Sequence, residues 1–96
     1  MFYISRTEVF SEWFISLKDK IVKEKVRTCI TKLQIGNFGG CQSIGDGVSE
    51  VKIQYGSGYR LYYTIRNREI IILLCGGDKS SQKRDILKAK KLAKEV

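Results

Sequence analysis

Glu50 and Lys52 alternate along one short apolar segment, Arg60 stands in the next, and Lys79 follows a glycine pair in CGGDKSS. Brought together, three cations and a carboxylate would bind an anionic group, and lysine or carboxylate would move a proton beside it. The chain has no histidine, so acid–base chemistry has to run through lysine, carboxylate, tyrosine or cysteine. Cys29, Cys41 and Cys75 are odd in number and widely spaced. They indicate neither a disulfide framework nor a zinc site, and are read as buried or incidental thiols.

Positioning these groups falls to a run of period-two segments. In VSEVKIQY, Val51, Ile53 and Tyr55 face one way and Glu50, Lys52 and Gln54 the other. GSG makes a turn, and YRLYYTIR alternates likewise, with Arg60, Tyr62, Thr64 and Arg66 on the side opposite Leu61, Tyr63 and Ile65. After a turn at Asn67 and Arg68, IIILLC is apolar on both faces, as suits a central strand. An antiparallel meander results, greasy on one face and ionisable on the other. A plainer arrangement competes with a reactive groove: solvated side chains, with a surface salt bridge from Glu50 to Lys52 or Arg60 worth at most about 1 kcal/mol.

Helices supply the rest. Ser5 and Thr7 offer caps before Val9, Phe10, Trp13, Phe14 and Leu17, and Asp19 caps a second helix through Val22, Val26, Cys29, Ile30 and Leu33, stopped at Gly36 and Asn37. The pair forms a hairpin, with Trp13 and Phe14 in the core. Phe2, Tyr3 and Ile4 allow a short N-terminal strand. Residues 36–47, GNFGGCQSIGDG, show no period and read as a connector lacking the spacing of a phosphate-binding loop. From Ser80 or Ser81 a last helix carries Ile86, Ala89, Leu92, Ala93 and Val96 on a shallow apolar side. The corner GGDKSS has three readings: a strand-to-helix turn, a phosphate cradle, or one wall of a site. Asp78 is expected to hydrogen-bond the corner backbone. The fold class is therefore α+β, residues 1–96 forming one domain.

The totals point to an anionic partner. Eighteen Lys+Arg against ten Asp+Glu give a net charge of +8, and five of those eight fall between Lys79 and Val96. With 43% hydrophobic and 29% charged residues the composition is globular. The start MFYISRTEVF has no apolar signal segment and no run is long enough to span a membrane, so a cytoplasmic protein without a membrane partner is expected.

FSEWFISLKD, then KLQIGNFGG, SIGDGVSEVKIQYGSGYRLYY and LLCGGDKSSQKRDILKAKKLA together resemble the RelE/ParE superfamily of toxins, nearest to the HigB-like, phage-related killer proteins of addiction modules. The resemblance covers nearly the whole chain. It implies a toxin of a type II toxin–antitoxin system that cleaves messenger RNA in the ribosomal A site. No metal or small-molecule cofactor takes part: the ribose 2′-hydroxyl attacks the neighbouring phosphate. The partners implied are the ribosome, messenger RNA and a cognate antitoxin, often one with a helix-turn-helix DNA-binding domain.

Basic residues of the family's sheet carry over as Lys52, Arg60 and Lys79, with Glu50 a weaker candidate. Arginine stays protonated and its planar fork suits phosphate oxygens, so Arg60 is expected to stabilise transition-state charge. Lys52, or Glu50 in its place, is expected as base, and Lys79 as phosphate clamp or acid. Toxins of the RelE type place a tyrosine near the C-terminus, whereas this chain has no aromatic after Tyr63. Tyr59 and Tyr62 are the expected stacking groups, and Gln82, Lys83 and Arg84 the expected contacts to the RNA backbone. Two alternatives stay open: a ParE-like inhibitor of DNA gyrase, and a non-catalytic basic protein that binds nucleic acid.

Overall fold

Local chemistry starts each element of the computed structural model, which describes residues 1–96. Strand β1 (Tyr3–Arg6) leads into α1 (Glu8–Ser16), capped by Thr7, whose hydroxyl accepts from Phe10 N at 3.0 Å and donates to Leu74 O at 2.6 Å. Helix α2 (Lys20–Gln34) is capped by Asp19 and ends at Gly36, whose φ of +82° favours glycine. Four strands follow, β2 (Cys41–Gly45), β3 (Val48–Ile53), β4 (Tyr59–Arg66) and β5 (Ile70–Asp78). A 3-10 turn (Lys79–Ser81) then leads to α3 (Gln82–Glu95). Asn67 and Arg68, both at positive φ, reverse the chain between Arg66 and Ile70, the last pair of the β4–β5 ladder.

The sheet order is β1-β5-β4-β3-β2. The expected meander is its centre, and the N-terminal strand is present, parallel to β5 along Tyr3–Arg6. Two expectations need correction. Residues 41–45, read as connector, form an edge strand, because Cys41, Gln42 and Ser43 pair with Val51, Glu50 and Ser49. The glycine pair is no corner either: β5 continues through Gly76 and Gly77, paired with Leu61 and Arg60, and turns only after Asp78.

The two faces are filled differently. The hairpin side buries Phe10, Val22, Val26, Leu33, Val51, Leu61, Tyr63, Ile71 and Leu73, with Trp13 and Phe14 packed against them. The other side, expected to be open and ionisable, is largely covered by α3, whose Ala89 and Ala93 bring the helix close to Val48, Tyr62, Leu74 and Cys75. Arg66 fixes the end of that helix, Nη2 donating to Ala93 O at 2.6 Å. Glycines let both layers reach β5. A Cβ on Gly76 would lie 2.4 Å from the Trp13 ring, and one on Gly77 1.8 Å from Asp85 Oδ2.

Candidate active site

Alternation along β3 and β4 sends Glu50, Lys52, Arg60 and Tyr62 to the α3 side of the sheet, where Lys52 stands opposite Arg60 and Glu50 opposite Tyr62. Glu50 and Arg60 are only 3% and 8% exposed, because the start of α3 roofs them. Glu50 Oε1 lies 3.4 Å from Arg60 Nε, and Oε2 accepts from Gln82 Nε2 at 3.2 Å. The expected salt bridge thus forms with Arg60, but as a buried pair. Removing one partner would leave a charge stranded in low dielectric. Arg60 Nε has no aligned hydrogen-bond partner, so the guanidinium is held by charge more than by geometry.

Beside this pair Lys52 is exposed. It shares with Glu50, Gln42, Gln54 and the backbone of Gly40 and Cys41 an open groove of about 670 Å³. Gln42 and Gln54 are additions to the site: Gln42 lies on the unrecognised strand, and Gln54 shares the face of Glu50 and Lys52 without an expected role. Their amides offer donors and acceptors for a polar ligand. No group of acidic, cysteine or histidine side chains in the molecule could hold a metal ion.

Lys79 is exposed one step beyond β5, its N–H donating to Gly58 O at 3.2 Å. Two strand spacings, roughly 10 Å, separate that end of β5 from β3 and Lys52. Asp78 shapes the corner as expected: Oδ1 accepts from Ser80 N at 2.9 Å and from Ser80 Oγ at 2.6 Å. These bonds, chiefly the one from the Ser80 hydroxyl, lower its pKa from the usual carboxylate value. Of the two cap candidates, Ser81 holds the N-cap position of α3, but its hydroxyl donates to Asp85 Oδ2 at 2.5 Å and makes no capping bond to the backbone. Asp85 is a buried carboxylate over Gly77. A charged residue in a lysine-rich stretch gave no signal of that position.

Four expected contacts lie elsewhere. Tyr62 is fully buried beneath α3 with its hydroxyl unpartnered, so its ring has no face to offer a base. Burial first, then the Glu50 and Asp85 carboxylates, push its pKa far above that of a free phenol. Tyr59 is half-buried on the hairpin side, one residue out of phase with Arg60. Arg84 lines a separate hollow with Glu12, Asp85 and Lys88, between α1 and α3. Lys83 is exposed on α3, and Gln82 alone of that trio reaches the Glu50–Arg60 pair.

Against known proteins, residues 12–95 match the family described as phage-derived protein Gp49-like (DUF891). The chain belongs to this Gp49-like family. An uncharacterized protein of Haemophilus influenzae is 46% identical over 93 residues, covering 97% of this chain and 94% of the relative. Among solved structures, a mutant of the Escherichia coli toxin RelE in the free state superposes with a TM-score of 0.73 at 16% identity, over 94% of this chain and 95% of that one. A chain of the intact E. coli RelBE toxin–antitoxin complex gives 0.69 at 15%, over 81% of this chain and 96% of that one. The Gp49-like chain therefore carries the RelE fold, and the resemblance read from its motifs holds at the level of fold and family.

Proposed function

We propose that this Gp49-like protein is the toxin of a toxin–antitoxin pair and acts as a ribosome-dependent messenger RNA endoribonuclease without metal. The observation that carries the reading is the buried Glu50–Arg60 pair beside exposed Lys52, with Glu50 and Lys52 lining a polar groove on a RelE fold. An inert basic domain gains little from burying two charges. A site that must meet a phosphate gains a guanidinium already stripped of water.

In this mechanism Lys52 takes the proton of the attacking 2′-hydroxyl at the groove surface as that oxygen bonds to phosphorus. Glu50, tied to Gln82 and Arg60, positions the arginine and does not act as base. As the phosphorane gathers negative charge, the loosely aligned guanidinium of Arg60 turns from Glu50 toward its oxygens. Lys79, across the width of two strands, holds the phosphate chain or protonates the leaving 5′-oxygen. The antitoxin of the pair, with a helix-turn-helix domain for its own operator, would cover this basic surface.

The test is mapping of message ends in a reconstituted translation reaction. Wild type should cut within codons at the A site, and Lys52→Ala or Lys79→Ala should lower the rate at least about 100-fold, the usual contribution of a proton-transfer group. Both residues are exposed, so neither change should unfold the chain. Message left intact by the wild type would overturn the proposal, and gyrase-dependent DNA breaks would replace it with the gyrase reading.

A further inference from the structure

The groove at Glu50 and Lys52 does not stop at the sheet face. Strand β2 begins at Cys41, which pairs with Val51, so no strand covers the edge of β3 at Lys52 and Ile53. Around that open edge lies a second hollow of about 290 Å³. It shares Lys52 and Gln54 with the first and adds Lys25, Thr28 and Lys32 of α2. Gly39 and Gly40 stand one in each lining, so at these two positions no side chain separates the hollows.

Spacing explains why one helix supplies all three polar groups. Positions 25, 28 and 32 lie three and four residues apart, on a single face of α2, and Lys25 and Lys32 are separated by roughly 10 Å along the axis. Lys25 is steadied by the Tyr55 ring, 5.4 Å from Nζ. The lining holds three lysines and no carboxylate. Elsewhere on α2, Arg27 is paired with Glu24.

We infer that Lys25, Thr28 and Lys32, with Lys52, form a second phosphate-binding subsite, which takes the backbone of single-stranded RNA as it leaves the groove over the edge of β3. The inference rests on the nuclease reading for its choice of RNA. The geometry itself requires only a flexible polyanion: three ammonium groups around a bend suit consecutive phosphates, with Thr28 as a neutral donor between them.

Binding of 2′-O-methyl RNA oligonucleotides of increasing length, which lack the attacking hydroxyl, tests this. Affinity of the wild-type chain should rise as the oligonucleotide outgrows the groove. Lys25→Gln/Lys32→Gln should remove that rise, about tenfold for the longer oligonucleotides, leave the shortest unaffected, and reduce the slope of log affinity against log salt by about 1.4, two phosphates at 0.7 each. Lys91→Gln/Lys94→Gln removes two exposed cations from α3 and should leave the length dependence intact. Equal losses in the two double variants would reduce the effect to net charge and overturn the subsite, as would affinity independent of length. Poly-glutamate binding as tightly as RNA of equal charge would overturn the RNA assignment. A chain that shows the length-dependent loss and yet cuts no message would keep the subsite and lose the nuclease.

Discussion

On one face of the sheet, α1 and α2 enclose rings and long aliphatic chains, with Phe10, Leu33, Leu61, Ile71 and Leu73 at most 1% exposed. On the other, α3 contributes two alanines, and every buried polar residue of the molecule, Glu50, Arg60, Thr64 and Asp85, lies on that side. The first face gains stability from apolar area and the second spends part of it on holding charge out of water. One region is thus a foundation on which a charged region of poorer intrinsic stability rests.

The strongest challenge to that division is Phe10→Ala. Phe10 is fully buried between Trp13 and Phe14, at 5.7 and 6.4 Å between ring centroids. Its truncation should lower the free energy of unfolding by about 3–5 kcal/mol, read from the denaturant midpoint. A loss below about 1 kcal/mol would mean that the hairpin face is not the foundation.

Next in size is the Glu50–Arg60 pair. Glu50→Ala and Arg60→Ala should each cost about 3 kcal/mol, because each strands its partner's charge, and the double variant should cost clearly less than the two losses added. Additive losses would show that the charges do not stabilise each other. The cycle also bears on mechanism: an inactive Arg60→Ala protein is not by itself evidence for catalysis, whereas exposed Lys52 and Lys79 give a cleaner reading.

Much of this contrast was legible in the residues, and what escaped did so for identifiable reasons. The period-two pattern placed Glu50, Lys52 and Arg60 on one face, and Thr7 and Asp19 announced their helices, since caps and alternation are local. Strand β2 escaped because CQSIG is short, polar and next to glycines; its strand character comes from β3. The cover over the site escaped because alanines make a thin apolar stripe, too shallow to show which surface the helix packs on. On a sheet, small residues permit close approach, and closeness is what buries Glu50, Arg60 and Tyr62. Gly76 and Gly77 looked like a turn for the same reason, since only the fold brings Trp13 and Asp85 against them.

The smallest expected effect separates burial from function on the α3 face. Tyr62 has its hydroxyl buried without a partner, so Tyr62→Phe removes an unsatisfied polar group while keeping the ring. The variant should be more stable than wild type by about 1 kcal/mol at neutral pH, and message cleavage should be unchanged. Its pH profile gives a second, independent check. Because burial raises the folded-state pKa of Tyr62 above its ordinary value of 10.0, the fold favours the protonated phenol. That contribution is complete below about pH 10 and is lost as pH rises further, toward the folded-state value. Other buried groups, among them Cys75 with a pKa pushed up to about 12 by burial and by Asp85, add to the alkaline loss in both proteins. The advantage of the phenylalanine variant should therefore widen above pH 10. If it narrows instead, the hydroxyl has a partner that stabilises its ionised form, and the α3 face is less dry than its packing implies.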